Sequence, residues 1–179
     1  TYTVDPSGSL YSQDHNAVDG DLYVWGSYEN TSGNEYWAYA TDFDGTDLAA
    51  SSSERQVDVR FASGAGASLT DSVLEIGGES SASTTVANQG SGVYNVSVSG
   101  GTTTAQYFDF YDLGATGLSL LDSVEVTTLR DGSFTVAQAA GSAITLSSTT
   151  IDADPAKQLF DVTFSTSSAI AANNVTQTD

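Results

Sequence analysis

Gly117-Leu118-Ser119-Leu120-Leu121-Asp122-Ser123-Val124, followed by Asp131-Gly132-Ser133-Phe134-Thr135-Val136, reads as two successive faces of a coil joined by tight turns. Apolar and small polar residues alternate in each stretch, which marks a strand with one face buried and one face wet. The same alternation recurs in Val57-Asp58-Val59-Arg60-Phe61, in Val93-Tyr94-Asn95-Val96-Ser97-Val98 and in Val124-Glu125-Val126. Leu22-Tyr23-Val24-Trp25 is a continuous apolar run, as in a strand covered on both sides. Gly77-Gly78, Gly100-Gly101 and Asp131-Gly132 punctuate these runs. No segment carries an i, i+3, i+4, i+7 apolar pattern over three turns, so helix is nearly absent from the expectation.

Strand candidates from residue 51 onward are Val73–Ile76, Val93–Val98, Ala105–Phe110, Val124–Leu129, Ile144–Leu146 and Phe160–Phe164. Their spacing fits coils of about 20 residues or a little more. The expected fold is therefore all-β: a short right-handed β-solenoid, β-helix-like, with an aromatic-rich N-terminal β region. The alternative is an antiparallel β-sandwich, because strand spacing and turn residues serve both. Composition divides the chain into an aromatic-rich part (1–50), a repetitive β part (51–168) and a polar tail (169–179), or leaves it as one single domain. The tail is read as flexible or lent to a neighbour.

The chain has 179 residues, with 4 Lys plus Arg against 23 Asp plus Glu, a formal charge of −19. Such a surface repels nucleic acid and anionic lipid and attracts divalent cations. The acidity fits a solvated face, a halophilic surface or calcium sites, and these are compatible. There is no cysteine or methionine, so no disulfide staples the fold. A lysine-poor, Ser/Thr/Gly-rich chain of this kind fits exposure to oxidants and proteases, hence an extracellular or cell-surface setting. The start at Thr1 is read as a mature end after leader removal. No run of about 18 apolar residues occurs, so no membrane span is expected.

Asp42-Phe43-Asp44-Gly45-Thr46-Asp47 is the strongest metal constellation. Asp42, Asp44 and Asp47 around a glycine can fold carboxylates about one hard cation, and Ca2+ takes 6 to 8 oxygens at flexible angles. The EF-hand match is partial, because no acid stands at the twelfth position; the competing reading is an Asx-turn. Asp14, Asp19 and Asp21, with Gly20 at the bend, form a second candidate set. Asp152 and Asp154 precede Pro155 and read as a turn. The aromatics Tyr23, Trp25, Tyr36, Trp37 and Tyr39 suit a core or protomer interface, or a platform that stacks sugar rings.

Catalysis is not expected. His15 is the only histidine, a weak basis for a triad, and zinc lacks its usual ligands. The four basic residues Arg55, Arg60, Arg130 and Lys157 are scattered, and Arg60 is expected to pair with a neighbouring acid. Asn30, Asn95 and Asn174 head N-x-Ser/Thr sequons.

Glu35-Tyr36-Trp37-Ala38-Tyr39-Ala40-Thr41-Asp42-Phe43-Asp44-Gly45 and Thr150-Ile151-Asp152-Ala153-Asp154-Pro155-Ala156-Lys157 resemble repeat modules of large secreted surface proteins of uncultured bacteria. That resemblance implies a β-helix-like fold and a modular extracellular structural protein without an enzymatic role. The function expected is a structural subunit of a surface filament, tube or layer, self-assembling with like subunits through β edges and with calcium. The alternative is a carbohydrate-binding or adhesive module with glycan partners. Tyr2 and Val4 lie in an alternating segment expected to serve as a donor strand.

Overall fold

The computed structural model describes residues 2–4, 9–13, 22–24, 27–32, 34–37, 40–44, 58–78, 80–81, 83–153 and 159–178, the backbone alone up to residue 44 and at 152–153. The elements are β1 (Tyr2–Val4), β2 (Ser9–Gln13), β3 (Leu22–Val24), β4 (Ser27–Ser32), β5 (Asn34–Trp37) and β6 (Ala40–Asp44). They continue as β7 (Asp58–Phe61), β8 (Gly66–Gly77), β9 (Thr84–Asn88), β10 (Tyr94–Gln106), β11 (Phe108–Leu121) and β12 (Glu125–Val136). Then follow β13 (Ser142–Ser147), α1 (Ser148–Ala153), β14 (Leu159–Thr166) and β15 (Asn173–Thr178).

Every pairing between these strands is parallel, which excludes the antiparallel sandwich. The chain is a parallel β-solenoid, and its described strands stack up to seven rungs deep. Its strands stack as three ladders. The first holds β5, the start of β8, the start of β10, the end of β11, β13 and β15. The second holds β1, β3, β6, the end of β8, the end of β10, and the starts of β12 and β14. The third holds β2, β4, β7, β9, the start of β11, and the ends of β12 and β14. Long strands turn a corner and serve two ladders, so all fifteen form one wrapped sheet.

The corners explain why punctuation in the sequence does not end strands. Gln106 pairs with Arg130 and Arg130 with Phe160, so Tyr107, Asp131 and Asp161 stack at one corner. All three are left-handed, with φ of 53°, 53° and 51°. At the corner between the first and second ladders, Asp71 (φ 49°), Gly100 (φ 72°) and Asp122 (φ 53°) adopt the same conformation. Aspartate tolerates this region better than most residues because its short side chain bonds locally. Gly101 is obligatory for a second reason: a Cβ there would strike the Ser72 backbone of the adjacent rung.

The sheet crosses the boundary near Ser51, because β5 and β6 both pair with β8. Residues 169–179, set apart in the sequence as a polar tail, contribute β15, which lies in register on β13. The stretch around Asp152, read as a turn, is the short helix α1. Ser147 caps it: its Oγ accepts the Thr150 amide at 3.2 Å, satisfying a first-turn donor.

The interior is filled by columns of like residues. On the third ladder Phe110, Phe134 and Phe164 are in register. Their rings stack at 5.2 Å and 7°, then 5.7 Å and 11°. Phe108 meets Phe134 edge-on at 5.2 Å. Such ring pairs contribute about 0.5–1.5 kcal/mol each beyond area burial. Phe134 is fully buried at the centre of this group. Phe134→Ala is expected to cost about 3–5 kcal/mol, the usual toll of a phenylalanine cavity. Urea unfolding followed by circular dichroism checks this; a loss below 1 kcal/mol would contradict the column's role.

Candidate functional site

Two features stand out from this frame: an acidic outer surface and an incomplete last rung. On the outer surface, carboxylates bond to hydroxyl and amide side chains one rung away. Ser99 Oγ donates to Asp122 Oδ2 at 2.5 Å, Gln106 Nε2 donates to Asp131 Oδ2 at 3.3 Å, and Ser133 Oγ donates to Asp109. The Asp122 amide in turn donates to Ser147 Oγ at 3.1 Å. These bonds tie successive rungs together. Arg60 pairs with Asp58 at 2.9 Å, as its place in an alternating strand suggested. Arg130 pairs with its neighbour Asp131 at 3.2 Å. Among the described residues no three His, Cys, Asp or Glu side chains gather. No described helix is long and apolar enough to cross a membrane.

The candidate ligands of the sequence divide by place. Asp42 and Asp44 lie in the extended strand β6, in register with Glu75 and Gly77. Asp47, Asp14, Asp19, Asp21 and His15 lie outside the described residues. Among the aromatics, Tyr23 sits in β3 in register with Asp42. Tyr36 and Trp37 sit in β5, in register with Ser68 and with the core position Leu69. Trp25 and Tyr39 lie outside the described residues. Tyr2 and Val4, the expected donor strand, pair with Leu22 and Val24 of their own chain. The structure thus brings Tyr23, Asp42 and Glu75 to neighbouring register positions, a grouping the sequence did not suggest. The sequon residue Asn95 is used internally: its Oδ1 accepts the Thr116 amide at 3.1 Å and the Thr116 hydroxyl at 3.0 Å.

The last rung was not anticipated as a site. β14 pairs with β12 and β15 with β13, and among the described strands neither has a partner on its other edge. Leu159 and Val175 are 46% and 41% exposed, whereas their counterparts one rung earlier, Leu129 and Ile144, are buried; Phe160, 52% exposed, follows the exposed position of Arg130. Beneath them an apolar cavity of about 180 Å³ opens between Leu120, Val126, Leu129, Ile144, Leu159 and Val175. A signal did exist in the sequence: residues 159–178 contain a single charged side chain, Asp161, in a chain with 23 acids. No protein-family model matches the chain, and neither a curated protein nor a solved structure matches it.

One buried group makes the core sensitive to base. Tyr94 is fully buried, stacks on Phe61 at 5.2 Å, and donates its hydroxyl to the Val86 carbonyl at 2.6 Å. Burial, and next the nearby Asp112, push its phenol well above the ordinary value. Tyr111 is raised as well, mainly by the charge of Asp109. A phenol whose folded pKa is raised holds its proton more tightly when folded, so this stability is complete below about pH 10 and is lost as pH climbs beyond. Tyr94→Phe is expected to flatten that alkaline loss while costing about 1 kcal/mol at neutral pH through the missing hydrogen bond. Thermal melts from pH 7 to 12 check it; an unchanged alkaline slope would assign the loss elsewhere.

Proposed function

We propose that this chain is a structural building block that works outside the cell, in a surface filament, tube or layer, and does not act as an enzyme. The observation that carries the reading is the last rung, where β14 and β15 have parallel edges unpaired among the described strands, beside exposed apolar residues. Free edges present rows of unpaired N–H and C=O groups, and proteins that remain solitary blunt them with lysine, proline or a covering loop. Residues 159–178 hold neither lysine nor proline. The resemblance to secreted repeat modules at 35–45 and 150–157 points the same way.

In this reading calcium supplies the counter-charge. A body of charge −19 repels its copies until cations screen it. Asp42, in register with the exposed Glu75, marks one acidic position on the stack, and Asp44 and Asp47 follow it in the chain. A second reading, a carbohydrate-binding or adhesive module, draws on Tyr23 in register with Asp42.

Sedimentation velocity and negative-stain imaging, with millimolar calcium and with a chelator, test the proposal. Elongated assemblies with calcium and shorter ones in chelator are expected. Monomers under both conditions, together with a glycan-array signal lost in Trp25→Ala or Trp37→Ala, would replace it with the second reading.

A further inference from the structure

Resting on that structural reading, we infer that the occupant of the last rung is the first rung of a second copy of this chain, stacked head to tail in continuous parallel register. Three independent observations converge on this.

The first is the path of the two terminal rungs. β14 begins on the second ladder at Leu159–Phe160, turns at Asp161, and continues on the third ladder as Val162–Thr166. At the other end of the stack, β1 lies on the second ladder and β2 on the third. β1 pairs with β3 and β2 with β4, and among the described strands their other edges have no partner. Both terminal rungs therefore visit the same two ladders in the same order and direction. A copy advanced along the axis sets the end of β1, Val4, beside Leu159 and β2 beside Val162–Thr166, parallel like every internal pair. A two-fold tail-to-tail pair would instead set β14 antiparallel against itself.

The second is a column of register positions on the third ladder. Leu10, Tyr28, Val59, Val86, Phe110, Phe134 and Phe164 occupy successive in-register positions, with an apolar or aromatic residue at every rung. The column ends on a half-buried Phe164 and begins at Leu10. Continuing its register across the junction places Leu10 over Phe164, Ser9 over Thr163 and Tyr11 over Ser165.

The third is charge. Of the strands that would meet, β14 carries only Asp161 and β1 and β2 carry no charge, while the remainder of the first coil holds Asp5, Asp14, Asp19 and Asp21. A basic partner would be drawn to the flanks. Strand edges that are nearly neutral meet with little repulsion, and apolar burial drives the contact. Because the two surfaces differ, the contact is heterologous and does not close, so copies add without limit along the axis.

The absence of cysteine gives a clean background for disulfide trapping. Neighbouring strands lie about 4.8 Å apart, within the Cα separation that a disulfide spans. Ser9→Cys and Thr163→Cys are made as separate single variants and oxidised alone and as a mixture in calcium. The mixture is expected to yield linked dimers, each variant alone little, and the double variant a ladder of oligomers. Efficient linkage of Thr163→Cys with itself would overturn the head-to-tail arrangement. An unlinked mixture that still sediments as assemblies would overturn this inference and leave the proposed function standing, with another surface responsible. An unlinked mixture that sediments as monomers would sink both. As a check free of cysteine chemistry, Thr163→Asp is expected to weaken association about tenfold or more through a charge on the free edge, with an unchanged circular dichroism spectrum. Undiminished association would count against the junction.

Discussion

A single coil of this protein cannot bury its own interior. Each rung offers three short strands whose inward side chains face a hollow, and only the rungs above and below close it. In the middle of the stack the demand is met: Val96 lies between Ala67 and Leu118, and Phe134 between Phe110 and Phe164. Other features follow from it. Columns of like residues arise because in-register parallel pairing sets the same side of each strand over the same side of the next. Left-handed aspartates recur at the corners because each rung must turn where its neighbour turns. The exposed residues at the last rung are this same demand, unmet.

The negative surface and the stack coexist by a division of place. Acids occupy corners and outward positions, where Ser99, Gln106 and Ser133 bond to them from adjacent rungs. The interior is mainly apolar, and its buried polar groups include Tyr94, which donates to the Val86 carbonyl, and Asn88, which donates to the Phe61 carbonyl. The strands of the end rungs carry almost no charge: Asp161 in β14, and none in β1, β2 or β15. In the proposed stacking, flanks that repel and end strands that do not would make lateral association costly and axial association cheap.

Much of the fold was legible in local pattern. The alternation at Val93–Val98 foretold β10, and Gly117–Val136 foretold two faces of one coil. The limits were physical. Gly100-Gly101 and Asp131-Gly132 supply left-handed conformations to a solenoid corner as readily as to a hairpin, so pairing direction stayed open. A break at Tyr107, inside the expected strand Ala105–Phe110, was invisible because an aromatic residue rarely adopts φ of 53°. The strand Asn173–Thr178 escaped notice because its six residues hold a single apolar side chain, Val175, and so show no alternation. The candidate site was less legible still. Aspartates drew attention as ligands, yet Asp42 and Asp44 stand in a strand, and the feature that matters at 159–178 is charge that is missing.

Amide hydrogen exchange, followed residue by residue in dilute and in concentrated protein with calcium, measures the unmet demand at the last rung most directly. The account expects Val162–Thr166 and Asn173–Thr178 to exchange rapidly when dilute and to gain protection on concentration, with Tyr94–Leu113 protected throughout. Equal protection of the last rung at all concentrations would mean that it is complete by itself, and the account would fail.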